Sequence, residues 1–97
     1  MLESEPNDAF LIYAVAMEYR KTAPEKSLLM LEQLATTHPN YTATYYHLAA
    51  MYREAGRHQE AKETYEKGIA ICQNMQDYHA LSELQRAYQQ WQNETEE

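Results

Sequence analysis

The sequence has few of the residues that interrupt regular structure. Its 97 residues include two glycines and three prolines, too few for a protein with many turns or for a flexible linker. β-Branched residues are also sparse, whereas Ala, Leu, Glu, Gln, Lys and Met are frequent, and these six favour helices. We therefore predict an all-α protein. A chain of this length has room for a single domain, residues 1–97.

Cysteine and positive charge are scarce as well. The single cysteine, Cys72, excludes a disulfide within the chain, favours a reducing compartment and is interpreted as a small buried residue. The net charge of −7 disfavours nucleic acid as a partner, since phosphate binding needs clustered Lys and Arg. No apolar run approaches the roughly 20 residues of a membrane span, and the acidic start MLESEPND is unlike a signal peptide. We predict a cytoplasmic location and no membrane partner.

Patterns typical of catalysis are missing too. No two of the four histidines have the i, i+4 spacing of a helical metal site. These histidines are His38, His47, His58 and His79. There is no glycine-rich phosphate loop and no nucleophile motif. We predict that the protein is not an enzyme and that it binds no cofactor and no metal.

Start and stop signals divide the chain into five predicted helices. Asn7 or Asp8 can cap the first helix, and Pro24 suits the first turn of the second. Gly56 can end the third helix in the left-handed conformation, and Asp77 can cap the fifth. The predicted helices cover about residues 9–21, 24–36, 41–56, 58–73 and 77–91, and the fifth frays into the final NETEE.

Two helix pairs share one internal spacing. The third helix has an aromatic-x-x-Leu-small-x-x-Tyr pattern at Tyr45, Leu48, Ala49 and Tyr52. The first helix has the same intervals at Ile12, Val15, Ala16 and Tyr19. The fourth and second helices also correspond, at Ala61, Tyr65 and Gly68 and at Ser27, Leu31 and Leu34. A helix pair is therefore used twice.

This spacing resembles the tetratricopeptide repeat, whose signature is W-x2-L-G-x2-Y, then A-x3-F, then P. Residues 42–73 match the signature well, except that Gln73 replaces the closing proline. Residues 9–41 match less well but keep Pro39. The resemblance implies a right-handed α-α superhelix of antiparallel hairpins. The fifth helix, about residues 77–91, is predicted to cap the stack, because the long polar Gln85 stands where a small residue would admit another helix.

The resemblance also implies a binding surface. In this family the first helix of each pair lines a concave groove that holds extended peptides or partner helices. The corresponding positions, here named the concave face, lie one residue away from the core stripe. They are Tyr13, Met17, Arg20, Tyr46, Ala50, Arg53, Ser82, Arg86 and Gln89. In the doublet Tyr45-Tyr46 we therefore assign the first tyrosine to the core and the second to the concave face.

The residue types on this face favour a protein or peptide partner. Tyrosine, methionine and arginine are enriched in protein interfaces, and an arginine row at Arg20, Arg53 and Arg86 favours an acidic or carboxylate partner. Alternatively, the tyrosines pack against the next helix and each arginine pairs with a nearby glutamate, such as Glu18 or Glu54. The family's basic clamp for C-terminal carboxylates has lysine at the position of Tyr13, so that clamp is not expected.

The predicted function is that of a protein-interaction module. A second hypothesis is a homo-oligomeric structural element, such as a homodimer, in which the concave face or the uncapped end at helix one is buried against another copy.

Overall fold

The computed structural model describes residues 8–95, which form five α-helices and no strand. They are α1 (Ala9–Thr22), α2 (Pro24–Thr37), α3 (Ala43–Glu54), α4 (His58–Met75) and α5 (Tyr78–Thr95). Each helix packs against the next one along the chain, and α3 also contacts α5. The result is a stack of two helical hairpins closed by a fifth helix, which confirms the predicted all-α class.

Three predicted helix ends are confirmed. The carboxylate of Asp8 accepts hydrogen bonds from two backbone amides in the first turn of α1, at 2.9 and 3.4 Å. Asp77 accepts in the same way at the start of α5, at 3.2 Å. Gly56 has a φ of 76°, the left-handed conformation that a residue without a Cβ adopts at little cost. Asn7, the other candidate cap, lies outside the described residues.

The limits of α3 and α5 differ from the prediction. The helix α3 begins at Ala43 rather than near Tyr41, because the carbonyls of Tyr41 and Thr42 accept from the amides three residues later, at Thr44 and Tyr45, and not from those four residues later as in an α-helix. The predicted fraying of α5 after residue 91 is wrong. The helix continues to Thr95, whose hydroxyl donates to the carbonyl of Trp91.

The core lies between the hairpins and follows the predicted stripe of α3, whose four residues are all buried. In α1 the prediction holds for Ala16, which is buried, and is wrong for Val15, which is 40% exposed. Small residues with no exposed surface let the helices approach closely: Ala16, Ala49 and Ala61. Cys72 is buried, as predicted. Met51 is buried in the core, and Met30 packs partly against it. Met75, in contrast, is exposed at the last position of α4.

The helices α3 and α4 approach closely at Gly68. A Cβ atom added there would lie 2.6 Å from the Cβ of Tyr45 and 3.0 Å from Cδ1 of Leu84. Tyr45 is 1% exposed, and its hydroxyl donates to the carbonyl of Pro39. One tyrosine therefore joins the loop after α2 to the junction of α3, α4 and α5, and the absence of a side chain at residue 68 makes room for it.

Substituting Gly68 by alanine should destabilise the fold. In an open helix this change stabilises by about 1 kcal/mol through helix propensity. Here the added methyl group collides with Tyr45, and overpacking of a filled core costs about 1–3 kcal/mol. We expect urea denaturation, followed by circular dichroism, to show a net loss of stability.

The exposed Ala70 of the same helix provides the control for propensity. Ala70→Gly should cost only about the propensity difference, about 1 kcal/mol. An unchanged or raised stability of Gly68→Ala would contradict this packing.

Candidate protein-binding face

The nine residues of the concave face all keep part of their surface exposed. Tyr46 is 37% exposed, whereas its neighbour Tyr45 is 1% exposed. The two tyrosines therefore differ in burial as predicted. Four members of the set are exposed and five are partly buried, and the contacts below divide them into groups.

The first group joins α1 to α3 around His47. Arg20 donates from Nη1 to Nδ1 of His47 at 3.1 Å, and its Nη2 lies 3.0 Å from a carboxylate oxygen of Glu54. The ring of Tyr13 is 5.8 Å from the His47 ring, and that of Tyr46 is 5.3 Å from it on the other helix. The structure thus brings together three predicted residues around a histidine that the sequence analysis did not place in the site.

Burial sets the protonation of this histidine. Burial, followed by the charge of Arg20, lowers the pKa of His47, while Glu83 on α5 acts in the opposite direction. At neutral pH the ring is therefore uncharged. Because a guanidinium can only donate hydrogen bonds, Nδ1 accepts from Arg20 and the proton of the neutral ring is on Nε2.

The second group joins α3 to α4 and α5 around Arg53. Its Nη1 donates to the hydroxyl of Tyr65 at 3.2 Å, and the guanidinium lies 5.7 Å from the centre of the Trp91 ring. Its Nη2 is 3.8 Å from a carboxylate oxygen of Glu94, a longer distance than in the pair of Arg20. Within residues 8–95 the buried Nε of Arg53 has no hydrogen-bond partner.

Arg53 lies at a surface depression of about 300 Å³. The other residues that line it are Ala50, Glu54, His58, Trp91, Glu94 and Thr95. His58 packs edge-on against Trp91, with ring centres 5.8 Å apart. The depression therefore combines a cation, two aromatic rings and two carboxylates where α3 meets α5.

The remaining predicted residues belong to neither group. Ser82, Arg86 and Gln89 are exposed on α5, and Met17 is partly buried on α1. No ion pair to Arg86 occurs within residues 8–95.

The three arginines thus differ in their partners. The alternative that each arginine pairs with a glutamate holds for Arg20, which uses Glu54, and loosely for Arg53, which uses Glu94. Glu18, the other acidic partner considered, is not used by Arg20.

The aromatic and acidic partners of the site were not predicted from the sequence. Trp91 was included only as the last residue of the predicted fifth helix, and His58 only as one of four histidines that lack the spacing of a metal site. His47 could have been found from its position next to Tyr46 on one helix face. No sequence spacing pointed to Glu94, because its contact with Arg53 depends on the crossing of α3 and α5.

Two further findings concern residues 8–95. This part of the chain contains no cluster of three or more His, Cys, Asp or Glu side chains that could hold a metal ion. Across the same residues, no helix combines the length and the apolar character needed to cross a membrane.

Comparisons with known proteins agree with this architecture of stacked helical hairpins. The sequence profile of the tetratricopeptide repeat matches residues 25–74. The crystal structure of a tetratricopeptide repeat domain protein from Salinibacter ruber has a TM-score of 0.84 and 36% identity, over 89% of this chain and 97% of that chain. A solution NMR structure of a tetratricopeptide repeat domain protein from Salinibacter ruber has a TM-score of 0.80 and 38% identity, over 87% and 86%. No curated protein matches significantly.

The fold is thus a helical repeat of the kind that stacks antiparallel hairpins into a right-handed superhelix. The chain belongs to the tetratricopeptide repeat family. Its five helices correspond to roughly two repeats and a closing helix, so the resemblance inferred from the sequence is confirmed. Proteins of this family are non-catalytic scaffolds that mediate protein–protein interaction.

The neutral state of His47 predicts a dependence of stability on pH. Because folding lowers its pKa below the ordinary value of 6.5, the unfolded chain binds the proton more tightly. The contribution of neutral His47 is complete above about pH 6.5 and is lost as the pH falls through the lowered pKa. We expect the melting temperature to decrease between pH 7.5 and pH 5.

Replacing His47 by glutamine, which keeps an acceptor for Arg20, should flatten this dependence. His79→Gln, the same substitution at a largely exposed histidine, provides the control. Asp77 also has a lowered pKa, but its effect on stability is confined to pH values below about 4, outside the range from pH 7.5 to pH 5. Equal profiles for wild type and His47→Gln would refute the assignment.

Proposed function

We propose that the concave face binds a segment of a partner protein, either an extended peptide or a helix. The observation that carries the proposal is the group of Tyr13, Arg20, Tyr46 and His47, whose partly exposed side chains hold one another in place through ring contacts and hydrogen bonds. Such residues combine apolar area with polar groups, as hot spots of protein interfaces do. Side chains that are already ordered lose little entropy on binding.

The segment is proposed to carry a carboxylate that binds Arg53. The ion pair of Arg53 with Glu94 is long and Glu94 is largely exposed, so its contribution to stability is small and a partner carboxylate can replace it. Arg20 is less available, because it is held at 3.0 and 3.1 Å by Glu54 and His47. The contact with Trp91 keeps the guanidinium in place for the exchange.

Net charge limits what kind of acidic segment fits. The chain has a formal charge of −7, which repels a polyacidic peptide at long range. A single carboxylate between apolar or aromatic residues avoids most of this repulsion and still matches Arg53 and Trp91. The proposed partner therefore has one acidic side chain in an otherwise uncharged stretch. We propose no catalytic role, and a cytoplasmic location stays a prediction from composition.

A peptide library displayed on phage and selected against the wild-type protein tests the proposal. The strongest selected peptide, titrated by calorimetry, should bind Tyr46→Ala at least about ten-fold more weakly, the loss typical of an interface hot spot. Tyr78→Ala provides the matched control, since Tyr78 is an exposed tyrosine outside the concave face. Selected peptides that bind both variants equally well would contradict the proposal.

The contribution of Arg53 can be measured separately from that of Tyr46. Binding of the selected peptide should weaken as salt rises, and Arg53→Gln should remove most of this dependence. Replacing the peptide's acidic residue by its amide should have the same effect. Binding that does not change with salt would exclude the proposed role of the carboxylate.

The two neighbouring tyrosines should separate stability from binding. Tyr45→Ala removes a buried aromatic side chain and should cost about 3–5 kcal/mol of unfolding free energy. Tyr46→Ala should change stability by about 0.5 kcal/mol or less, as at most surface sites. Thermal denaturation measures both, and similar losses would mean that the two faces are assigned wrongly.

A further inference from the structure

The guanidinium of Arg53 is held by a buried hydroxyl of α4. Tyr65 is 1% exposed, and its hydroxyl accepts a hydrogen bond from Nη1 of Arg53 at 3.2 Å. Tyr65 is not one of the residues that line the depression at Arg53. A segment bound in that depression would therefore contact Arg53 but not Tyr65, and Tyr65 can act on binding only through the arginine.

The ring of Tyr65 is itself fixed by aromatic neighbours on α5. It stacks on the ring of Tyr88, with ring centres 5.1 Å apart and an angle of 17° between the ring planes. The ring centre of Trp91 lies 5.8 Å from that of Tyr65. Aromatic rings packed in this way have little freedom to move. The hydroxyl of Tyr65 is therefore a rigid point of attachment for the flexible side chain of Arg53.

The first repeat lacks this hydroxyl. The residue that corresponds to Tyr65, 34 positions earlier, is Leu31, and it is as deeply buried, with 0% of its surface exposed. An apolar side chain is thus sufficient to fill the core at this position. Arg20, which corresponds to Arg53, donates instead to two side chains of α3. The hydroxyl of Tyr65 is therefore not needed for packing, and its contact is with the arginine.

The contact with Tyr65 also sets the direction of the other donors of Arg53. Because a guanidinium is planar and rigid, holding Nη1 fixes the direction of Nη2. Nη2 is 3.8 Å from a carboxylate oxygen of Glu94, which is longer than a hydrogen bond. The buried Nε has no hydrogen-bond partner within residues 8–95, although buried donors are normally paired. This orientation thus has a cost, and the contacts with Tyr65 and Trp91 maintain it.

We propose that Tyr65 is a positioning residue for the binding of a partner carboxylate by Arg53. The inference rests on the proposed function of the concave face and names the group that determines the direction of its arginine. Ordering a long side chain during binding reduces affinity, and the hydroxyl of Tyr65 orders Arg53 beforehand. A carboxylate depends on this arginine more than an uncharged amide does, because only the carboxylate forms a hydrogen bond in which both groups are charged. Loss of the hydroxyl therefore reduces the preference for a carboxylate over an amide.

Tyr65→Phe removes the hydroxyl and keeps the ring. Calorimetry should compare the acidic peptide selected on wild type with the same peptide carrying an amide in place of its carboxylate. Wild type should prefer the acidic peptide, and Tyr65→Phe should reduce the ratio of the two affinities by about three- to ten-fold. The matched control is Tyr88→Phe, which removes a hydroxyl that donates to Glu66 and should keep the wild-type ratio. A Tyr65→Phe variant that weakens both peptides equally, or an equal reduction in Tyr88→Phe, would overturn the proposal.

Rotation of the Arg53 guanidinium in the free protein can be measured without a peptide. Exchange of the two Nη nitrogens about the Nε–Cζ bond, followed by ¹⁵N NMR, should be faster in Tyr65→Phe than in wild type and Tyr88→Phe. Equal rates in wild type and Tyr65→Phe would contradict the positioning role. If wild type does not prefer the acidic peptide, the proposed binding of a carboxylate fails and the role of Tyr65 fails with it. If wild type prefers it and Tyr65→Phe keeps the full preference, only the role of Tyr65 fails.

Discussion

The second half of the molecule depends on the space left by a missing side chain. At Gly68 the helix α4 comes so close to α3 that Tyr45 lies directly against its backbone, and Leu84 of α5 closes the same contact. Close packing of this kind is the usual state of a protein interior, and it fixes the spacing between helices. The relative placement of α3 and α5 sets the distances from Arg53 to Trp91 and Glu94. The geometry of the Arg53 group therefore follows from a packing constraint in the core.

Local signals in the sequence were enough to predict most of the fold. The spacing at Tyr45, Leu48 and Tyr52 identified a buried stripe, and the caps at Asp8, Asp77 and Gly56 depend only on nearby residues. The limits of α3 were less predictable, because its start is delayed by backbone hydrogen bonds that span three residues, from Thr44 to Tyr41 and from Tyr45 to Thr42. A spacing pattern of apolar residues does not distinguish such a turn from the first turn of an α-helix.

The candidate site was predictable only in part, since its contacts join residues that are distant along the chain. Helix geometry correctly separated Tyr45 from Tyr46, because neighbouring residues point about 100° apart. Helix geometry could not show that the ring of His47, on α3, contacts Arg20 on α1. Nor could it show that Trp91 and Glu94 contact Arg53. In this acidic chain Arg20 and Arg53 connect helices, a role that the number of charged residues does not reveal.

The tautomer of His47 also determines which groups can approach it. Since Nδ1 is occupied by the hydrogen bond from Arg20, the other ring nitrogen carries the proton and can only donate. A peptide carbonyl would satisfy that nitrogen, whereas a peptide N–H directed at it would lose its hydrogen bond to water without gaining another. His47 would therefore favour a segment that presents a backbone carbonyl, and not a backbone N–H, to Nε2. This preference would not depend on the side chains of the bound segment.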